Sequence, residues 1–185
     1  MRKLFPEKSL SPAYIDGMRE RVEADLLKMA IQDGGPGDYI VRDLLPWTDL
    51  RITSAGQASV LTDFWGTGAL TASTLLTYVN RQLSNDQFIA IYGIGIRDTN
   101  PCVQKVLMQT GGAASTMAQW SLEEMYTSDV PIAYTPEPIY YPGQKTVFIQ
   151  LLPDAVGKAV GADGVADHVV LIGLMCTRAG EVVSK

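Results

Sequence analysis

The sequence is poor in the side chains that most often carry chemistry. It has one histidine, His168, and two cysteines, Cys102 and Cys176, and only 19% of its residues are charged. A single histidine cannot supply a multi-histidine metal site, and any catalytic triad would depend on it alone. The two cysteines have no CxxC or other metal-ligand spacing, so we expect two buried thiols in a reducing compartment. The sequence predicts no enzyme activity, no cofactor and no metal.

Positive charge is also scarce. The net charge is −5 and the isoelectric point is near 4.8, which disfavours binding to the phosphates of a nucleic acid. The basic start Met1–Lys8 is not followed by the apolar core of a signal peptide, and no apolar run approaches the roughly 20 residues of a membrane span. Neither the nucleophile elbow G-x-S-x-G nor a phosphate-binding glycine loop occurs.

An amphipathic helix is predicted near the N-terminus. Ser11 is a good N-cap, Pro12 suits the first helical position, and the glycines from Gly34 to Gly37 end the helix. Its apolar stripe recurs at steps of three and four residues and contains Tyr14, Ile15, Met18, Val22, Leu26, Met29 and Ala30. We therefore divide the chain into an N-terminal arm and helix, residues 1–37, and a β-sandwich domain, residues 38–185.

Residues 38–185 are mainly β-forming. The clearest predicted strand is Phe88–Arg97, and further strands are predicted at Tyr39–Leu45, Val103–Gln109, Thr146–Leu152 and His168–Arg178. Leu70–Leu83 suits a strand or a short helix, and its threonines and valine favour the strand. Short β candidates also occur at Leu50–Thr53 and Ala58–Asp63, whereas Met117–Tyr126 is predicted to form a short helix with Trp120 and Met125 inward. About seven or eight strands and few helices predict an antiparallel β-sandwich, best described as a jelly roll, with an N-terminal amphipathic helix.

The segment Phe88–Arg97 is apolar on both faces, so we expect a central strand that is covered on both sides. Strict alternation places one set of residues on one face: Phe88, Ala90, Tyr92, Ile94 and Ile96. The same alternation places a second set on the other face: Ile89, Ile91, Gly93 and Gly95.

Candidate acid–base and cation-binding residues occur in two stretches. One is a glycine-rich loop before the last strand, and the other follows Trp120; together they contain Asp154, Asp163, Asp167, His168, Glu123, Glu124 and Asp129. Oxygen ligands on a flexible loop suit Ca²⁺, and paired carboxyls suit glycoside hydrolysis. Their spacing matches no EF-hand, and solvated acids are the simpler interpretation. A cation bound in the 154–167 loop stays open.

The stretch from Pro131 to Pro142 contains four prolines and three tyrosines, which is typical of edge or loop chain rather than a central strand. Tyrosines suit interfaces because they combine a large contact area with a polar tip. With the front helix, the stretch suggests an interface formed by Tyr134, Tyr140, Tyr141, Trp120, Tyr14 and Met18. Tyr134, Tyr140, Tyr141 and Trp120 could alternatively bind carbohydrate. A small enzyme using Glu123, Glu124, Asp163 and Asp167 is a third alternative.

Two segments, Leu83–Ile96 and Ile139–Leu151, resemble strands of single jelly-roll virion proteins, and the resemblance extends over roughly Thr71 to Arg178. It implies a capsid subunit of an icosahedral bacterial or archaeal virus, assembled in the host cytoplasm from many copies, without catalytic residues. Whether other capsid proteins share the shell stays open. In viruses whose shell encloses a membrane, the front helix would face that membrane. The long N-terminal helix departs from the family pattern, and its docking on its own domain or a neighbour's stays open.

Overall fold

A computed structural model of the chain describes residues 3–45, 49–50, 67, 69–96, 100–110, 115–122, 125, 132–161 and 166–180. The elements are β1 (Phe5–Pro6), a short 3₁₀ helix (Glu7–Ser9), α1 (Pro12–Gly34), β2 (Tyr39–Asp43), β3 (Leu76–Gln82), β4 (Gln87–Ile96), β5 (Val103–Thr110), β6 (Ser115–Ser121), β7 (Ile132–Tyr141), β8 (Thr146–Pro153) and β9 (Val169–Arg178). Apart from Leu50, which is buried, the predicted strands Leu50–Thr53 and Ala58–Asp63 lie outside the described residues.

The strands form two antiparallel sheets. The first sheet has the order β1-β7-β4-β9-β2 and the second has the order β3-β8-β5-β6. Four pairs are nested along the chain: β2 with β9, β3 with β8, β4 with β7, and β5 with β6. This nested pairing across two sheets is the arrangement of a jelly roll, so the predicted fold class is confirmed.

Helix α1 begins and ends where the sequence predicts. The Ser11 Oγ accepts a hydrogen bond from the backbone N–H of Tyr14 at 3.2 Å, and Gly35 ends the helix with a φ of 83°. The buried residues Met18, Val22, Leu26 and Ala30 face the first sheet. Tyr14, which the sequence places in the apolar stripe, is instead 48% exposed, because it lies one turn before the point where the stripe meets the sheet.

Strand β4 is the central strand of the first sheet and is buried along its whole length, as predicted. The prediction of which β4 residues lie on the same face of the sheet is wrong beyond Tyr92. A register shift between Ile91 and Gly93 adds one residue to β4 relative to β9, so the alternation reverses. Phe88, Ala90 and Tyr92 face α1, whereas Ile94 and Ile96 join Ile89 and Ile91 in the core between the sheets.

The short helix predicted at Met117–Tyr126 is wrong over its described residues up to Ser121, which belong to strand β6. The segment is rich in good helix formers such as Met117, Ala118 and Gln119. Pairing with β5 overrides that preference, and Trp120 lies opposite Val106 in the core. Trp120 and Met125 are buried, as the sequence predicts.

The proline-rich stretch forms strand β7. It lies next to the edge, because its outer neighbour β1 pairs only with Ala133 and Tyr134. Between Tyr134 and Ile139 the ladder with β4 is broken by a wide bulge, which contains Pro136 and Pro138. The prediction is confirmed in part: the stretch is extended and is not the central strand, but it lies second from the edge, and the bulge places both prolines where no ladder hydrogen bond is required.

Candidate interaction surfaces

The six residues that the sequence assigns to one interface do not form one surface. Trp120 and Tyr141 have no exposed side-chain area and belong to the core between the sheets. This corrects the prediction for these two residues, because neither can contact a partner or a sugar while the sandwich stays folded. Burial raises the pKa of the Tyr141 hydroxyl, which keeps it protonated.

Two of the six, Met18 and Tyr134, lie in the layer between α1 and the first sheet. Met18 is 4% exposed and Tyr134 is 9% exposed. The Tyr134 ring stacks on Tyr92 with ring centroids 6.2 Å apart. Their apolar area is therefore buried within the domain, which corrects their assignment to an external interface. Tyr14 and Tyr140 keep exposed area, so for them the interface role stays a prediction.

Polar contacts fix α1 to its own domain along both sides. On the β7 side, Arg21 donates to the Pro136 carbonyl at 2.9 Å, and the Tyr140 hydroxyl donates to Asp25 at 3.1 Å. Burial, followed by the Asp25 hydrogen bond, raises the pKa of Tyr140 to about 12. On the β2 side, Arg19 pairs with Asp43 at 2.8 Å. The helix thus docks in cis, and the stripe that would contact a membrane is buried.

The C-terminal end of α1 is held by the last strand. Arg178 donates to the carbonyls of Gly34 and Pro36 at 3.3 and 3.0 Å, and its guanidinium lies 5.8 Å from the Tyr39 ring centroid. A cationic group suits the negative end of a helix dipole. An open cleft of about 620 Å³ lies beside this contact and is lined by Gln32, Asp33, Gly34, Asn85, Asp86, Pro142, Gly143, Gln144, Lys145 and Arg178. Its lining of amides and charges suits a small polar ligand.

The loop acids serve the fold. The buried Asp167 accepts hydrogen bonds from the backbone N–H groups of Cys102 and Val103 at 2.6 and 2.9 Å, and from the ammonium of Lys158 at 2.7 Å. Its carboxylate is fully used, which removes it from the set of available acids. His168 is half-buried beside it at the start of β9. Asp163, Glu123, Glu124 and Asp129 lie outside the described residues.

Asp154 shapes a surface loop. Its Oδ1 accepts hydrogen bonds from the backbone N–H groups of Gly157 and Val156 at 2.8 and 2.9 Å and from the Cys102 thiol at 3.3 Å. These bonds, led by that of Gly157, lower the pKa of Asp154. Burial raises the pKa of Cys102 to about 11. Cys102 and Cys176 are both free and buried, as predicted. In the described part of the chain, no group of three or more His, Cys, Asp or Glu residues could hold a metal ion.

A second buried ion pair, not predicted from the sequence, follows β2. Arg42 donates to both carboxylate oxygens of the buried Asp49, at 2.7 and 2.6 Å, and Asp49 also accepts from the backbone N–H of Leu45. No local sequence signal distinguishes Asp49 from a solvated acid, because its partner lies seven residues away on a strand. The pair fixes the chain where it leaves β2.

Large apolar side chains that the sequence does not mark as interface residues are exposed. They are Phe5, Ile31, Ile40, Leu45, Leu75, Val156 and Val160. Val156, at 85% exposure, lies on the loop that Asp154 holds in place. The backbone of Leu70 pairs with Lys158, so Leu75 and Val160 lie on the segments that flank this loop. A fixed loop that exposes an apolar tip is typical of a contact surface.

The outer face of the second sheet is nearly uncharged. Its side chains alternate with core residues and include Asn80, Gln82, Lys105, Leu107, Gln109, Gln119, Phe148, Gln150 and Leu152. Lys105 is the one charged residue among these nine. A surface with few charges, on which amides and apolar groups alternate, is compatible with a protein–protein contact.

Comparisons with known proteins give little. No protein-family model matches the chain, and no curated protein matches it. Among solved structures, the chain is similar to one described as "Bacillus endospore appendages form a novel family of disulfide-linked pili", with 8% sequence identity and a TM-score of 0.32 over 76% of this chain and 85% of that chain. A similarity of this size carries over no function. Within the described residues, no helix is both long and apolar enough to cross a membrane.

Proposed function

We propose that the protein is a structural virion protein, a jelly-roll capsid subunit that self-assembles from many copies. The observation that carries the proposal is the nested pairing of eight strands in two sheets, an arrangement found in viral capsid proteins. Lectin domains and cupins share this architecture, so the choice between a capsid subunit and these other functions depends on the surface of the molecule. Two features of the surface support a subunit: apolar side chains are exposed on a fixed loop, and one sheet face is almost free of charge.

In this proposal the mechanism is association. Apolar loop residues such as Val156 and Leu75 become buried between copies, and the hydrophobic effect drives assembly. Helix α1 stays on its own domain as part of the subunit, because its stripe and both its polar flanks are already satisfied there. The proposed location is the virion, with other capsid proteins as further partners.

Assembly can be measured directly. We expect the purified protein to form closed particles or large multimers, visible by electron microscopy and by light scattering as its concentration is raised. The double variant Leu75→Lys/Val156→Lys should shift assembly to higher concentration, since it charges the exposed apolar loop. A matched control is Glu20→Lys, on the solvent face of α1. A wild-type protein that stays monomeric at every concentration would contradict the proposal.

A second candidate is a binding module for carbohydrate or another small polar ligand. The cleft beside Arg178 favours it, because Asn85, Gln144 and Lys145 converge there. The tyrosines that the sequence assigns to sugar binding do not line it. A glycan array can test this candidate: binding that is lost on Lys145→Glu would support it, and no binding to any glycan would exclude carbohydrate.

A further inference from the structure

Strand β2 forms the outer edge of the first sheet and differs from the other edge strands. The pairing of β2 with β9 has no register shift. One further hydrogen bond extends it at each end: the N–H of Leu44 donates to the Gly173 carbonyl, and the N–H of Ala179 donates to the Asp38 carbonyl. In the part of the chain that the structure describes, no strand pairs with its opposite side. Seven residues, Asp38–Leu44, therefore form a regular edge, on which the outward carbonyl of Asp43 accepts a hydrogen bond from Arg42 at 3.0 Å.

The other edges carry features that prevent pairing. Strand β7 has the wide bulge with Pro136 and Pro138, and β1 covers part of it. Strand β3 has a register shift at Thr77, and β6 has one beside Met108. Bulges, prolines and charged side chains are devices that natural sheets use against edge-to-edge association. Among the described edges, β2 has no bulge and no proline, and its charged residues are Asp38, Arg42 and Asp43.

Two exposed isoleucines flank the β2 edge, one on each face of the sheet. Ile40 is 54% exposed and points away from Tyr39 and Val41, which pack under α1. Ile31 is also 54% exposed. Arg19 comes directly after the buried Met18 and pairs with Asp43 of β2, so the position after a buried stripe residue lies on the β2 side of α1. Ile31 comes directly after the buried Ala30 and therefore lies on the same side. A strand added to this edge would cover both side chains.

The edge is complementary to itself. Asp38, Ile40 and Arg42 share one face of β2 because strand side chains alternate. In an antiparallel pair of two copies centred on Ile40, the two Ile40 side chains lie opposite each other and Asp38 of each copy lies opposite Arg42 of the other. Tyr39 lies opposite Val41 of the other copy. Apolar groups meet apolar groups and no like charges are juxtaposed, while each Arg42 keeps Asp49 of its own chain as partner.

We infer that two copies of this chain associate through β2, antiparallel and about a two-fold axis at Ile40, so that their five-stranded sheets become one continuous sheet. The inference rests on the proposed self-assembly and identifies one contact within it. An isologous contact of this kind joins two subunits into a closed pair, which the exposed loops can then link to further copies.

Cross-linking tests the pairing and its register. Ile40→Cys places two thiols directly opposite across the axis, within the Cα separation that a disulfide requires. Cys102 and Cys176 are buried, so the background from native thiols is low. On mild oxidation we expect most of the Ile40→Cys protein to migrate as a dimer in non-reducing gels, while the equally treated Glu20→Cys control, on the solvent face of α1, remains mostly uncross-linked.

Charge repulsion tests the energetics. Ile40→Lys places two ammonium groups opposite each other, and Ile31→Lys removes the flanking apolar contact without altering β2. We expect Ile40→Lys to weaken dimerisation at least tenfold and Ile31→Lys severalfold, by analytical ultracentrifugation. Circular dichroism and thermal denaturation check that both variants fold; both positions are more than half exposed, so wild-type folding is expected.

The outcomes separate this inference from the proposed function. If the wild type forms particles but Ile40→Cys does not cross-link and Ile40→Lys assembles normally, the β2 contact is wrong and the proposed function stands. If Ile40→Cys cross-links but the wild type stops at a dimer, the β2 contact stands and the capsid proposal is wrong. A monomeric wild type with no cross-link contradicts both.

Discussion

The two sheets of the sandwich differ in what covers their outer faces. The outer face of the first sheet is apolar and lies under α1, with Phe88, Ala90 and Tyr92 of β4 packed against the helix. The outer face of the second sheet carries amides and half-buried apolar groups, such as Gln150 and Leu107, and no helix of the described part of the chain packs on it. The outer face of the first sheet is therefore covered within the subunit, whereas that of the second is partly exposed, with Phe148 and Gln109 buried and Leu107 half-buried.

The largest expected effect comes from removing an aromatic ring under the helix. Phe88 is fully buried and contacts the Tyr39 ring edge-on, with centroids 6.3 Å apart. We expect Phe88→Ala to lower the free energy of unfolding by about 3–5 kcal/mol. Leu107→Ala on the outer face of the second sheet should cost about 1 kcal/mol, since its side chain is only half-buried. Chemical denaturation measures both, and equal losses would remove the contrast between the faces.

A smaller effect is expected at the bulge of β4. A Cβ at Gly93 would lie 2.9 Å from the Cδ1 of Tyr134 and 3.0 Å from the carbonyl oxygen of Ala133. We expect Gly93→Ala to cost about 1–3 kcal/mol, because the crowded backbone or the Tyr134 ring must shift. Denaturation measures the loss, and weaker Tyr92–Tyr134 stacking should appear in near-ultraviolet circular dichroism. An unchanged stability would show that the layer under α1 repacks freely.

A glycine on the helix should give a change of opposite sign. Gly17 lies inside α1 with nothing within 4 Å of the position that a Cβ would take. We expect Gly17→Ala to stabilise the protein by about 0.5–1 kcal/mol through helix propensity alone. Thermal denaturation measures the gain. A loss of stability would mean that this open face of α1 is more constrained than the covered face.

The smallest effect is expected at the hydrogen bond between Tyr140 and Asp25. At neutral pH, Tyr140→Phe should cost below about 1 kcal/mol, because the bond is partly exposed. The folded pKa of Tyr140 is raised from 10.0 to about 12, so its contribution is complete below pH 10 and is lost as pH rises through about 12. Between these values the wild type should lose more stability than Tyr140→Phe. If the stability of the two proteins changes with pH in the same way, Tyr140 has no role in holding α1.

The sequence predicts local features well where neighbouring residues determine them. The Ser11 cap, the glycine stop of α1 and the apolar core of β4 are all encoded over a few residues. Long-range pairing explains the errors. The bulge at Tyr92 depends on register with β9, and β6 depends on β5. The prediction of an aromatic interface is wrong for Trp120 and Tyr141, because composition shows that an aromatic residue is present but not which face of its strand it lies on.

Strand β9 lies between β4 and β2, and its Arg178 holds the end of α1. Since β9 is among the last parts of this sequence to be synthesised, the sheet on which α1 rests is incomplete while the chain is still on the ribosome. At roughly 5–20 residues per second, the interval between the end of α1 and Arg178 lasts on the order of ten to thirty seconds. During that time the stripe of Met18, Val22, Leu26 and Ala30 lacks the part of its native site that β9 supplies. Premature contact between such stripes on neighbouring nascent chains would compete with folding.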